Sequence, residues 1–249
     1  MINASDYDHK LARKLFCYSD DSPINLVRSA AHFAKVKDAE LTLKQIKSLG
    51  YITCLNLMQA ADKSYDEIRD VAKMVSKWKC VDVLYIADSL GGMNHDNVNY
   101  AFQAVREGWN GPVGFHGHNN KGQALDNTLE AVDIGVNWID STIMGMGRGP
   151  GNTETEYLLN ELNKRNFEFE LEPIYELSMK YFYEMKLKYN WGPSLAYYLS
   201  AEYNIHPTYI QTILSKYAYQ TALKAINYLK DKESNSFNKE LMMEALKSE

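Results

Sequence analysis

Gly114-Phe115-His116-Gly117-His118-Asn119-Asn120 decides how this chain of 249 residues is read. An apolar run from Pro112 to Phe115 leads into two histidines separated by one residue. In an extended strand, side chains two residues apart point to the same face, so His116 and His118 would leave the strand's end together. Two imidazoles so placed can share one metal ion. Roughly thirty residues on, the spacing of one strand–helix unit, comes a glycine-rich turn, Gly145-Met146-Gly147-Arg148-Gly149-Pro150-Gly151-Asn152. The two stretches read as two walls of one site.

Outward from there, the chain alternates. Apolar runs at Ile24–Ala31, Tyr51–Met58, Val81–Ala87, Pro112–His116 and Val136–Ile143 predict strands. Helical periodicity predicts helices over Asp38–Leu49, Tyr65–Lys79, Asn97–Gly108, Gln123–Ile134 and Glu154–Leu162. Near-continuous apolar strands with intervening helices are the pattern of a parallel sheet covered on both faces. Met1–Asp6 reads as the end of a further strand running into a polar turn, with a charged segment over His9–Lys14. From about residue 170 the pattern is helix only, over Pro173–Tyr189, Leu195–Tyr203, Pro207–Lys230 (with room for a break) and Lys239–Lys247. Five strand–helix units fit a doubly wound sheet. A closed eight-stranded barrel takes roughly 250 residues for its eight units. On counting alone the open sheet is favoured.

Composition bounds the class. The chain is 45% hydrophobic and 24% charged, so it can bury a core. No apolar run reaches the roughly eighteen residues a membrane span needs, and no basic start followed by an apolar block marks a signal peptide. A net charge of −5 gives no support to a nucleic-acid surface. Cys17, Cys54 and Cys80 are odd in number and widely spaced, and read as buried free thiols of a reducing cytoplasm.

Three motifs overrule the count. Val83-Leu84-Tyr85-Ile86-Ala87-Asp88-Ser89, then Gly114 to Asn120, then Asp140-Ser141-Thr142-Ile143-Met144-Gly145 through Asn152 occur in that order on successive strand ends. Together they resemble the metal-dependent aldolase and Claisen-condensing family (the HMG-CoA lyase-like, DRE-TIM metallolyases). The family includes 4-hydroxy-2-oxovalerate aldolase, hydroxymethylglutaryl-CoA lyase, and the isopropylmalate and homocitrate synthases. The resemblance covers roughly residues 1 to 165. Val27-Arg28-Ser29-Ala30-Ala31-His32 and Asp88-Ser89-Leu90-Gly91 bring it nearest to the aldolase branch. It implies a TIM (β/α)8 barrel of which about strands three to eight are present, in a partial catalytic domain over residues 1–165. A helical extension follows over 166–249.

The resemblance also implies roles. A divalent ion, Mn²⁺ or Mg²⁺, chelates a 2-oxo acid and holds the charge that develops on it. His116 and His118 match the family's metal ligands and Asn152 completes the set, with His116 also beside the substrate. Ser89 matches a position that contacts the oxo-acid carboxylate, and its competing role is capping the turn after Asp88. Arg148 could meet a carboxylate with its planar fork or stand as a solvated loop arginine. Tyr197 or Tyr198 is placed over the barrel mouth, as a tail tyrosine is in the aldolases. Arg28 and His32 line the same cavity, with a buried pairing group as the other reading of Arg28, whereas His206 reads as a helix-start residue. The glycine-rich turn is neither a dinucleotide fingerprint nor a P-loop.

One departure matters. The family's first strand carries an Arg-Asp pair that supplies a ligand and the enolate stabiliser, followed by a histidine base. No strand here matches it, since Arg13 precedes Lys14 and Arg28 precedes Ser29. The base and the stabilising arginine are therefore unassigned. Three readings stay open: a retro-aldol lyase giving pyruvate and an aldehyde, a Claisen-condensing acyltransferase, and an inactive truncated fragment or partner-completed half-barrel. The expected partners are a small 2-oxo acid and a second copy docked through the C-terminal helices.

Overall fold

The computed structural model describes residues 1–4 and 12–247. The polar turn and the first part of the charged segment, residues 5–11, lie outside the described residues. Close contacts divide the chain into two compact units. One comprises Met1–Ser89, His95–His116 and Glu130–Ile139; the other comprises Leu90–Asn94, Gly117–Leu129 and Asp140–Glu249.

The first unit holds a six-stranded sheet: β1 (Ile2–Asn3), β2 (Leu26–His32), β3 (Ile52–Met58), β4 (Val83–Asp88), β5 (Val113–Gly117) and β6 (Trp138–Ile139). The strands lie in sequential order, and the pairings of β1 with β2, β2 with β3, β3 with β4 and β5 with β6 are parallel. This order decides between the two candidate folds. A doubly wound sheet reverses direction at a switch point, whereas strands added one after another are the arrangement of a TIM barrel. The sheet is therefore part of a TIM barrel.

Register fixes which residues share a face. Arg28 lies opposite Cys54 and Cys54 opposite Val83; Ala30 lies opposite Asn56 and Asn56 opposite Tyr85. One face thus carries Arg28, Ala30 and His32 with Cys54, Asn56, Val83 and Tyr85. Val27, on the opposite face, packs with Ile46 of helix α2 (Ala39–Ser48), with Leu49 just after it and with Tyr51. Helix α3 (Tyr65–Trp78) starts at a capping box in which Ser64 and Glu67 satisfy each other's backbone N–H groups. It packs against α4 (His95–Gly108). The start of β3 is tied to the start of β4, because Asp82 Oδ2 accepts from the Thr53 N–H at 2.8 Å and from Lys47 Nζ at 2.6 Å.

The second unit is mostly helical: the start of α5 (Ala124–Asp133), then α6 (Thr155–Lys164), α7 (Glu172–Leu177), α8 (Tyr183–Tyr189), α9 (Leu195–Glu202), α10 (Pro207–Leu214), α11 (Tyr219–Leu229) and α12 (Lys239–Lys247). Its core is formed by Tyr209, Ile210 and Ile213 of α10 with Ala222, Ala225, Ile226 and Leu229 of α11, and by residues of α9 and α12. Among the described residues no helix is long and apolar enough to cross a membrane.

Three expectations need correction. The strand expected over Val136–Ile143 pairs with β5 only at Trp138–Ile139, and Thr142 instead forms an isolated bridge with Glu154. The helix over Pro173–Tyr189 is interrupted by a π-helical turn at Ser178–Phe182, where the Ser178 hydroxyl donates back to the Ile174 carbonyl. Pro207–Lys230 breaks into two helices, as the sequence left room for. Cys17 is exposed, while Cys54 and Cys80 are buried; all three are free thiols.

Candidate active site

Arg28 lays its guanidinium over the buried Tyr85 ring, 3.9 Å from carbon to centroid. Gly114 is glycine because a Cβ there would stand 2.5 Å from that ring. Gly114 therefore shares the Tyr85 face, and His116, two residues on and half-buried, shares it too. Ser89, at the same parity as Tyr85, follows the last residue of β4. Its hydroxyl oxygen accepts the Gln59 N–H at 2.9 Å, a bond across to the end of β3. Gln59 sits in the left-handed region (φ 59°) and its Oε1 lies 3.3 Å from His32 Nδ1. His32, Gln59 and Ser89 thus form one polar cluster at the carboxyl ends of three neighbouring strands. Gln59 was not anticipated from the sequence, which carries no signal for its backbone conformation.

The second unit contains His118, Asn152, Arg148 and Tyr197. His118 and Asn152 face each other across an isolated antiparallel bridge, and the Asn119 N–H donates to the Gly151 carbonyl beside it at 3.0 Å. Directly opposed residues on such a ladder project to one face. The Asn152 amide Nδ2 donates to the Met146 carbonyl at 3.1 Å, which fixes the orientation of the side chain.

The glycine-rich turn is closed by its own backbone, with the Asn152 N–H donating to the Gly145 carbonyl at 3.1 Å and the Gly151 N–H to the Arg148 carbonyl at 3.2 Å. Gly149 combines φ +57° with a ring contact: a Cβ there would stand 2.9 Å from the Tyr197 Cζ and hydroxyl oxygen. Tyr197 is 6% exposed, whereas Tyr198 is 44% exposed, so Tyr197 is the tail tyrosine that meets the turn. Arg148 keeps surface exposure, but its Nη1 donates to the Thr208 hydroxyl at 3.3 Å in the first turn of α10. Burial pulls the Arg148 pKa below its ordinary value, with the Tyr197 phenolate opposing; burial pushes the Tyr197 hydroxyl up, with the Arg148 charge opposing. His206 is the N-cap of α10, its Nδ1 accepting the Thr208 N–H at 3.3 Å, as its sequence position suggested.

Residues from the C-terminal segment hold this turn, and no motif marks them. Trp191 Nε1 donates to the Met144 carbonyl at 2.9 Å, and the Gly192 N–H donates to the Gly149 carbonyl at 2.9 Å. Lys186 pairs with Glu154 at 3.3 Å and also reaches the Met144 carbonyl. Burial raises the Glu154 pKa, and the Lys186 charge pulls the other way.

As for a metal, a histidine and an asparagine opposed on one bridge fit part of a hard-ion coordination set. Among the described residues no three His, Cys, Asp or Glu side chains are grouped to hold an ion. The sequence has one Arg-Asp dipeptide, Arg69-Asp70, but it lies on the surface of α3 with its partners ion-paired at 3.0 Å, away from any strand end.

The HMGL-like family profile matches residues 23–179. The 4-hydroxy-2-oxovalerate aldolase of Carboxydothermus hydrogenoformans is 36% identical over 143 residues, 57% of this chain and 42% of that enzyme. The enzyme of the same name from Brevibacillus brevis is 33% identical over 58% of this chain and 42% of its own length. The match therefore spans less than half the length of these relatives. Among solved structures, the N-terminal domain of a candidate aldolase from Bacteroides vulgatus superimposes with a TM-score of 0.79 at 28% identity, covering 90% of this chain and 74% of that one. The carboxyl transferase domain of Rhizobium etli pyruvate carboxylase shares the fold, with a TM-score of 0.76 at 15% identity, over 98% of this chain and 47% of that one. Sequential parallel strands, the strand-end motifs and a profile match over more than half the residues agree: the chain belongs to the HMGL-like family.

Proposed function

We propose that the chain serves a metal-dependent carbon–carbon lyase acting on a 4-hydroxy-2-oxo acid. The observation that carries this reading is the His118–Asn152 bridge, which sets an imidazole and an amide oxygen on one face beside the glycine-rich turn. In the retro-aldol direction the C3–C4 bond breaks, the C4 hydroxyl loses its proton and becomes the aldehyde, and C3 gains a proton to give pyruvate. A divalent ion of the kind the family uses, Mn²⁺ or Mg²⁺, would supply Lewis acidity at the 2-oxo group.

The chain's own residues have these parts. His118 and Asn152 are ligands, with His116, two residues earlier, as the second imidazole and a substrate contact. Ser89, held by the Gln59 N–H, presents a hydroxyl suited to the oxo-acid carboxylate. Arg148 and Tyr197 supply a charge and a buried phenol on the turn side. The proton acceptor for the C4 hydroxyl is unassigned. Residues 1–165 act as the catalytic part and 166–249 as an extension. The exposed Met179, Tyr181 and Leu187 support pairing of two copies through the C-terminal helices. The two buried free thiols support a cytoplasmic location.

The test is pyruvate release from 4-hydroxy-2-oxopentanoate with Mn²⁺ present. Turnover that disappears in His118→Ala, while the fold is retained, is the expected result. Thiol release from acetyl-CoA with a 2-oxo acid, and no aldol cleavage, would establish the Claisen reading instead. Mn²⁺ binding followed by electron paramagnetic resonance gives a readout besides activity. Two imidazoles and one amide without a carboxylate should bind the ion weakly, and tight stoichiometric binding would contradict this ligand set.

A further inference from the structure

A cavity of about 940 Å³ lies within the second unit, against the glycine-rich turn and helices α8 to α11. Gly147 and Gly149 of the turn line it, and Tyr189, Trp191, Tyr197 and Tyr217 are among its aromatic walls. Its size is at the upper end for small-molecule sites. None of the described residues lining it carries a charged side chain. The nearest guanidinium, that of Arg148, is turned to the Thr208 hydroxyl of α10, and Lys186 is engaged with Glu154.

The lining has a definite chemical profile. Tyr189 and Tyr217 are 63% and 49% exposed, so they offer ring faces rather than core packing. The amides of Asn190 and Gln211 are neutral groups that both donate and accept. Aromatic faces with neutral hydrogen-bonding groups suit a ligand that has C–H surface and hydroxyls together. A phosphate or a carboxylate placed here would lose water without gaining an opposite charge, at substantial cost.

We propose that this cavity binds an uncharged, polyhydroxylated body of sugar size, carried on C4 of the substrate and released as the aldehyde. The clause on C4 rests on the lyase reading; the cavity's preference for a neutral hydroxylated ligand does not. The link between the two is the turn itself. Gly147 lines the cavity, and a Cβ on it would stand 2.5 Å from Asn152 Nδ2. A ligand in the cavity therefore lies against the backbone that positions Asn152.

Saturation-transfer NMR on the full chain, with D-arabinose and D-arabinose 5-phosphate as probes, tests the site without turnover. Transfer to arabinose, weaker transfer to its phosphate, and about tenfold weaker binding in Tyr217→Ala are expected, the loss of one ring face and its hydroxyl. Tyr217 is exposed, so this variant should keep its fold; Gln211→Ala, also exposed, is the second variant and should weaken binding in the same direction. No transfer to arabinose, or tighter binding of the phosphate, or no effect of either substitution, overturns the proposal. Arabinose binding in a chain with no lyase activity would overturn the lyase reading and leave the cavity assignment standing. Lyase activity on 4-hydroxy-2-oxopentanoate without arabinose binding would do the reverse.

Discussion

Gly149 shows how a single residue can be readable for one reason and fixed by another. A glycine-rich turn announces left-handed backbone, and φ +57° at Gly149 fits that expectation. The tighter constraint comes from Tyr197, whose hydroxyl end would stand 2.9 Å from a Cβ. Gly149→Ala should therefore cost about 1–3 kcal/mol, strain in the left-handed region plus a displaced ring. For a chain of this length that lowers the thermal midpoint by a few degrees per kcal/mol. In a Tyr197→Ala background the same change should cost less, only the backbone strain remaining; equal costs in both backgrounds would show that the ring contact contributes nothing. The strand-end position of His116 and His118 was legible because strand parity is a property of adjacent residues. Gln59 was not, because it is placed by a partner thirty residues away, and Tyr197 came only from the family resemblance, which left it open against Tyr198.

Among the elements, the clamp joining β3 and β4 has a pH signature. Burial pushes the Asp82 carboxyl up, but the bond from Lys47 and the Thr53 N–H outweigh it and hold the group below its ordinary value. The folded chain thus binds that proton less tightly than the unfolded chain does. The stabilisation is complete above the unfolded carboxylate range and is lost as pH falls through the lowered folded value. Asp82→Asn should cost about 1 kcal/mol at neutral pH, a modest figure because the pair is part-exposed, and the difference from wild type should shrink below about pH 4. Urea midpoints at pH 7 and pH 3 check this; a difference that persists at pH 3 would assign the effect to packing. The helix break after α10 also has a reason that periodicity contains. Tyr209, Ile210 and Ile213 are buried on α10, then Ala222, Ala225 and Ile226 on α11. From Ile213 to Ala222 a straight helix would turn by about two and a half turns, putting the second stripe on the opposite face. One helix could not bury both stripes in one core. The short β6 has no such signal: Asn137 meets Val113 at its start, and pairing with β5 stops at Ile139.

Across the whole molecule, the sheet's strand order was the property least available from local pattern. Periodicity found the strands within a few residues but favoured the open sheet on count. The three motifs, being ordered on successive strand ends, carried the barrel, and the sequential parallel pairing agrees with them. The role of the last third was hidden further. It reads as helices that could pack anywhere, yet Trp191 and Gly192 bond the Met144 and Gly149 carbonyls, and Lys186 pairs with Glu154 at the start of α6. The turn's geometry therefore depends on residues beyond the motif that defines it. Arg148 makes this testable, since it is the trypsin site inside the turn. Cleavage of a native chain tracks how often the segment opens. Trp191→Ala removes the Nε1–H bond to Met144 and the ring beside Gly151, so cleavage after Arg148 should rise while far-ultraviolet circular dichroism is unchanged. Trp191→Phe keeps a ring and loses only the bond, and should fall between the two. If Trp191→Ala is cleaved no faster at Arg148 than wild type, the helical segment is packed beside the turn without holding it, and the turn's own backbone bonds are sufficient.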